Sequence, residues 1–352
     1  MQRILSLFSA GLLFFAFFTA PAFAAPQQTP LVVSIAPQKY IMERLGGNAV
    51  SVAVLLKPGS DPHSYEPGPS QMRDVSKAAA WFTIGVPFED AWLARIQGSA
   101  PKLRVISSIR GIRRLSFAEP VRTMADLHNE LIELGKYQHR EQRHDFQLRD
   151  GTEMFTPGPE QQGSQPMHSH SHESHAHSHD GHSHAHQGDD PHVWLSPAAV
   201  RAMLPTLAAE LGALMPDKTE FFNANAKAFD AELEALDHTL EARFSAIPPL
   251  KRVFLTFHPS WRYFAHNYQL IELAIEIDGK EPGPRSLKAV TDLAKKLGIT
   301  TVFVEPQFPR ASAKAVADAI GAVVVEADPL EEDLMNLYRT MADKLLHSFN
   351  HE

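Results

Sequence analysis

Four side chains that could bind one metal ion lie directly after predicted strands or at the start of a predicted helix. They are His63, His192, His258 and Asp328. Ligands of open parallel sheets bind beyond the carboxyl ends of the strands, so side chains at these positions can converge. Three imidazoles and one carboxylate suit tetrahedral zinc, with nitrogen at about 2.0–2.1 Å and oxygen at about 2.0–2.2 Å. The pattern predicts one zinc site. Copper and nickel ions also fit these ligands, because the general order of metal affinities does not disfavour them.

Each of these residues also has a simpler structural interpretation. A lone histidine after a strand more often caps the chain or makes a hydrogen bond than binds a metal. Asp328 stands before Pro329 and could simply begin the last helix. The long intervals between the four residues carry no local geometric signal, so the residue types alone leave both interpretations open.

Short apolar segments alternate with amphipathic segments on both sides of a long helical stretch. The predicted strands are residues 31–36, 50–56, 79–85 and 103–109 in the first half, and 253–257, 271–277, 301–304 and 322–326 in the second. Such alternation is typical of βαβ units with a mostly parallel sheet. The sequence therefore predicts an α/β protein of two lobes, each with a mostly parallel sheet flanked by helices.

Helix signals predict the elements between and after the lobes. Ser196 and Pro197 are typical of an N-cap and a first helical position, and Asp217 could cap the next helix. Apolar residues at helical spacing predict a helix over 218–245, which is a candidate rigid connector. In the second lobe, helices are predicted over 287–297 and 331–349.

The chain divides into four predicted regions. Residues 1–24 resemble a secretory signal peptide, because an apolar run follows Arg3 and small residues lead to Ala24. An uncleaved anchor is the alternative, but the run is short for a span of about 20 residues. We expect an N-terminal α/β lobe over 25–196 with a His-rich disordered insertion at about 113–189, a helical connector over 197–247, and a C-terminal α/β lobe over 248–352.

Composition removes several classes of protein. Lys and Arg number 33 against 41 Asp and Glu, which gives a net charge of −8 and predicts no nucleic-acid partner. There is no cysteine, so disulfides, thiolate metal sites, a cysteine nucleophile and a cysteine-linked lipid are excluded. The mean hydropathy of −0.21 is typical of a soluble protein. We therefore expect a free exported monomer. Because a small exported binding protein needs an outer barrier to stay near its cell, we expect it in the periplasm.

A second group of histidines forms a dense tract inside the predicted insertion. Its members are His168, His170, His172, His175, His177, His179, His182, His184 and His186. The surrounding residues are polar, so no core explains this density, and we predict a disordered segment with secondary, low-affinity metal sites. The tract could collect metal for the main site or sense periplasmic zinc, or it could simply be a tolerated metal-binding loop. The preceding stretch 119–150, with His128, His139 and His144, has no assigned role.

Several longer motifs make the chain resemble the zinc-binding proteins of ABC importers, a metal-specific solute-binding family that also includes manganese binders. The motifs are the segment 58–67 with Asp-Pro-His-Ser-Tyr-Glu-Pro, the segment 190–197 with Asp-Pro-His-Val-Trp-Leu-Ser-Pro, the segment 258–264 with His-Pro-Ser-Trp-Arg-Tyr-Phe, and the segments 278–282, 303–308 and 327–330. The resemblance implies two α/β lobes joined by a long helix, with the metal between them. It also implies that His63, His192, His258 and Asp328 are the metal ligands.

Two departures from this family pattern stand out. Position 258 lies in His-Pro-Ser-Trp instead of a His-Asp-Ala type of sequence, so the contacts around that ligand are expected to differ. The histidine-rich loop is also longer than is usual in the family.

The resemblance implies a binding protein that captures Zn²⁺ and delivers it to an ABC-type membrane permease. The alternatives are a protein for zinc storage or sequestration, an adhesin-like metal-binding protein and, less well supported, a zinc hydrolase. No His-Glu-x-x-His sequence and no paired general base are evident, so we expect no enzymatic activity.

Deletion of residues 167–187 tests the role of the histidine tract. The deletion removes no predicted strand or helix, so we expect a lower total zinc stoichiometry and a tightest Kd within about threefold of the wild type, or less than about 1 kcal/mol. Titration against a competing chelator measures both quantities. Loss of the tightest site would show that the tract supplies primary ligands.

Overall fold

The computed structural model describes residues 28–115, 189–276 and 283–350. The predicted signal peptide, the histidine tract and the stretch 119–150 lie outside the described residues. The predicted domain boundaries at 196 and 247 stay predictions. Within the described part of the chain, no helix is both long and apolar enough to cross a membrane.

Two parallel four-stranded sheets form the frame of the molecule. The strands are β1 Thr29–Val33, β2 Val50–Val54, β3 Ala80–Thr83 and β4 Arg104–Ser107 in the first sheet, and β5 Val253–Thr256, β6 Ile271–Ala274, β7 Thr301–Val304 and β8 Val323–Glu326 in the second. The strand orders are β2-β1-β3-β4 and β6-β5-β7-β8, so the two sheets share the same topology. The predicted two-lobe α/β class is confirmed.

Helices follow most strands, as parallel pairing requires. They are α1 Ala36–Gly46, α2 Pro69–Lys77, α3 Pro87–Ser99, α4 Pro197–Leu214, α5 Thr219–Ser245, α6 Arg262–Asn267, α7 Pro284–Lys296, α8 Arg310–Ile320 and α9 Leu334–Asn350. The Ser196 hydroxyl accepts the Ala199 N–H at 3.0 Å, which confirms the predicted N-cap of α4.

Element ends differ from the sequence predictions by a few residues. Helix α7 begins three residues before the predicted start because Pro284 takes the first position. Residues 216–218 form a separate 3-10 turn, so Lys218 and not Asp217 precedes α5, and the predicted Asp217 cap is wrong. Asp328 does not begin the last helix, which starts at Leu334.

The strands end earlier than the apolar runs predict, but their backbone pairing continues. The Leu56 N–H donates to the Ser34 carbonyl at 2.9 Å, and the Glu276 N–H donates to the Phe257 carbonyl at 2.8 Å. These bonds fix the chain just before the segments that carry the predicted metal site.

Helix α5 connects the two lobes through one buried face. Its buried positions are Phe222, Ala226, Phe229, Leu233, Leu236, Leu240 and Phe244. Phe229 packs on Tyr40 of α1 with ring centroids 5.9 Å apart, and Phe244 stacks on Tyr268 after α6 at 5.2 Å. One continuous apolar core therefore includes side chains of both sheets. A second core fills the space between the second sheet and helices α7 and α8.

Adjacent phenylalanines on α5 provide a matched test of this packing. Phe222 is fully buried, whereas Phe221 is 42% exposed. We expect Phe222→Ala to lower the free energy of unfolding by about 3–5 kcal/mol because it leaves a cavity. Phe221→Ala is expected to cost about 1 kcal/mol or less. Urea unfolding measures both values, and equal losses would contradict the assigned core face.

Candidate metal centre

Three histidines from separate parts of the chain converge between the lobes. His63, His192 and His258 each offer a ring nitrogen, and these nitrogens lie within 4.8 Å of one another. The ring centroids are 4.9 Å apart for His63 and His258, 5.3 Å for His192 and His258, and 5.9 Å for His63 and His192. A single ion placed between such rings can be bound by all three.

His63 lies in the loop between β2 and α2. Its backbone N–H donates to the Asp61 Oδ1 at 2.8 Å, and the Ser64 hydroxyl donates to the Asp61 Oδ2 at 2.9 Å. This local turn explains how a Pro- and Gly-rich loop holds a defined shape. The Phe88 N–H at the start of α3 also donates to the Pro62 carbonyl at 3.3 Å, which ties the loop to the first lobe.

His192 is buried at the entrance to α4, and a carboxylate orients its ring. The Asp190 Oδ1 lies 2.7 Å from the His192 Nδ1 and also accepts the His192 backbone N–H at 2.9 Å. A carboxylate accepts hydrogen bonds, so Nδ1 is the donating nitrogen and Nε2 carries the lone pair for a metal.

His258 follows β5 and has the same kind of carboxylate partner. The Glu276 Oε2, just after β6, lies 2.9 Å from the His258 Nδ1. The His258 backbone N–H donates to the Glu305 Oε2 at 3.3 Å, and the Phe308 ring stacks on the imidazole at 4.9 Å. These contacts leave Nε2 as the ligating nitrogen here as well.

Asp328 is held by its own neighbours. Its Oδ1 accepts the Gln307 side-chain amide at 2.8 Å and the Leu330 backbone N–H at 2.9 Å. Among the described residues, the group with nitrogen or oxygen atoms within 4.8 Å of one another consists of the three histidines and does not include Asp328. Its role as a fourth ligand stays a prediction.

Two further acids are buried in the second lobe near His258. Burial raises the pKa of Glu305 well above its ordinary value. Burial also raises the pKa of Glu272 to about 8, although hydrogen bonds from the Trp261 N–H and the Thr256 hydroxyl act in the opposite direction. Burial therefore disfavours the charged form of both carboxyls, which lie among hydrogen-bonding groups of the second lobe.

Sequence reasoning did not identify the two carboxylates that orient the imidazoles. Asp190 could have been found from a repeated signal, because both His63 and His192 stand in an Asp-Pro-His sequence. In each copy, the aspartate accepts the histidine backbone N–H. Glu276 carries no such signal, since it meets His258 only through the pairing of β5 and β6.

Comparison with known proteins gives a family match over most of the chain. Residues 31–350 match the family described as ZnuA, the periplasmic component A of a zinc-uptake complex. A crystal structure of ZnuA is 32% identical, with a TM-score of 0.70, and the match covers 92% of this chain and 100% of that chain. A zinc-bound ZnuA deletion mutant gives the same identity and TM-score over 93% of this chain and 100% of that chain.

Curated relatives are more distant in sequence. The zinc-binding protein AdcA of Streptococcus pyogenes is 25% identical over 334 residues, which cover 94% of this chain. This chain spans only 56% of the length of that protein. The manganese-binding lipoprotein MntA of Halalkalibacterium halodurans is 23% identical, over 91% of this chain and 86% of that protein.

Alanine substitution tests whether the three histidines share one ion. His63→Ala, His192→Ala and His258→Ala should each remove a direct ligand. Loss of an outer-shell partner raises a metal Kd by about 10–100-fold, so each of these changes should raise the zinc Kd by more than that. His238→Ala is the matched control, because that side chain is 71% exposed on α5. Competition with a chelator of known affinity measures each Kd. A His258→Ala protein with wild-type affinity would contradict the site.

Proposed function

Because this chain belongs to the ZnuA family of periplasmic zinc-uptake components, we propose that it captures Zn²⁺ in the periplasm and delivers it to the permease of an ABC importer. The ion is the cargo of this protein, bound between the lobes and then released. The His63, His192 and His258 cluster is the observation that carries the proposal.

The chemistry of the site supports zinc as the cargo. Imidazole nitrogen suits zinc, whereas manganese prefers carboxylate and water oxygens. The cluster of three contains only imidazoles, and Asp190 and Glu276 are engaged with ring nitrogens of His192 and His258. We therefore propose that the site selects Zn²⁺ over Mn²⁺, although one relative is a manganese-binding lipoprotein. Asp328, in the segment that follows β8 of the second lobe, is the proposed fourth ligand.

The same arrangement supports binding in preference to catalysis. A zinc hydrolase needs a water on the metal and a nearby base to activate it. Asp190 and Glu276 already accept hydrogen bonds from the histidines, and the buried Glu305 accepts the His258 backbone N–H. These acids orient ligands, so we propose no enzymatic activity. Storage without delivery is the remaining alternative, and transport separates it from our proposal.

Zinc uptake into permease-containing vesicles tests the proposed delivery. Zinc-loaded protein should support ATP-dependent accumulation of radioactive zinc in vesicles that contain the partner permease. The His258→Ala protein should support little accumulation, because it captures less ion. Retention of all zinc on the wild-type protein would favour storage.

Two controls make the vesicle assay specific. The His238→Ala protein should transport like the wild type, since its exposed side chain lies outside the cluster. Addition of Mn²⁺ at a free concentration equal to that of Zn²⁺ should leave zinc accumulation unchanged. Displacement of zinc by manganese under these conditions would overturn the proposed selectivity.

A further inference from the structure

A buried tyrosine joins the two chain segments that flank residues 116–188. The Asp190 N–H donates to the Leu115 carbonyl at 2.7 Å. The Leu115 N–H donates to the Tyr263 hydroxyl at 2.8 Å, and this hydroxyl donates to the Asp190 carbonyl at 2.9 Å. The three bonds form a closed ring around the junction.

The tyrosine hydroxyl replaces a direct backbone bond. In a hydrogen-bonded antiparallel pair, two opposed residues exchange both N–H to carbonyl bonds. Here the pair made by Leu115 and Asp190 exchanges one bond directly and makes the other through the Tyr263 hydroxyl. The ion pair between Arg114 and Asp189, at 3.0 Å, lies beside this junction.

The hydroxyl can perform both roles at neutral pH. Burial, the largest contribution, and the charge of Asp190 raise the pKa of Tyr263, so its proton remains available for donation. The Tyr263 side chain is fully buried, as is Asp190. Hydrogen bonds at such a position are costly to remove because the partners cannot turn to water.

The junction also lies next to two of the three candidate ligands. Asp190 is the residue whose carboxylate orients the His192 ring. Tyr263 lies in α6, the short helix that follows His258 and begins at Arg262. The Tyr263 hydroxyl therefore connects the backbone just before His192 to helix α6, which follows His258 in the other lobe.

We propose that Tyr263 is a positioning residue, which clasps the Leu115 and Asp190 junction to the second lobe and so holds the Asp190 carboxylate against His192. The position of His192 then depends on a contact between the two lobes. This inference rests on the proposed function, because it takes His192 to be a metal ligand.

Tyr263→Phe tests the clasp, because it keeps the ring and removes only the hydroxyl. We expect the zinc Kd to rise about 10-fold, the lower end of the cost of losing an outer-shell partner. Tyr268→Phe is the matched control, since it removes another buried hydroxyl bond, 2.7 Å to Asp237 of α5. Its Kd should stay within about twofold of the wild type. Chelator competition gives the Kd values, and thermal unfolding shows whether both variants lose similar stability.

A double-mutant cycle shows whether Tyr263 acts through Asp190. In an Asp190→Ala background, where no carboxylate remains to be positioned, Tyr263→Phe should change the zinc Kd by less than about twofold. A further 10-fold loss in that background would overturn the proposed route. An unchanged Kd in the single Tyr263→Phe variant, or an equal loss in Tyr268→Phe, would overturn the clasp itself.

His192→Ala separates failure of the clasp from failure of the function. If His192→Ala weakens zinc binding while Tyr263→Phe does not, the site stands and the clasp is wrong. If His192→Ala retains wild-type affinity, the assignment of His192 as a ligand fails, and the clasp fails with it.

Discussion

The convergence of three imidazoles within 4.8 Å of one another is the constraint on which the rest of the structure depends. A protonated imidazole cannot bind a metal, and like charges at this spacing repel one another. To bind a metal together, the rings of His192 and His258 need a neutral form with the proton on Nδ1 and the lone pair on Nε2. Asp190 and Glu276 stabilise this form, because each carboxylate accepts a hydrogen bond from the Nδ1 of its histidine. The carboxylates thus belong to the site as much as the ligands do.

The convergence of the three histidines requires the two sheets to keep a fixed relative orientation. His63 belongs to the first lobe and His258 with Glu276 to the second, so a small relative rotation would separate the rings. Helix α5 opposes such a rotation, because its buried face packs on both lobes. A direct hydrogen bond between the lobes also opposes rotation, since the Trp194 indole N–H donates to the Pro329 carbonyl at 2.8 Å. The site is held by the same core that stabilises the fold.

Local patterns in the sequence were sufficient to predict the architecture, whereas the grouping of the three histidines also required the family resemblance. Strand alternation predicts the sheets, His258 directly follows a predicted strand, and His63 lies in the loop after another. Contacts between segments distant in sequence could not be read in this way. Glu276 meets His258 only because β6 pairs with β5, and Tyr263 meets Leu115 only because the lobes pack together. Asp328 shows the remaining difficulty, since its position after β8 does not reveal that Gln307 engages its carboxylate.

The shared core also bears on how an ion can enter and leave. Separation of the lobes would expose apolar side chains of both, and each Å² of apolar surface exposed costs about 25 cal/mol. The His63 loop makes local hydrogen bonds at Asp61, and the bond from the Phe88 N–H to the Pro62 carbonyl ties it to the first lobe. His192 and His258 are each only 3% exposed and are oriented by buried carboxylates. Entry and release of an ion therefore require either exposure of this shared apolar core or local movement of the segments that carry the ligands.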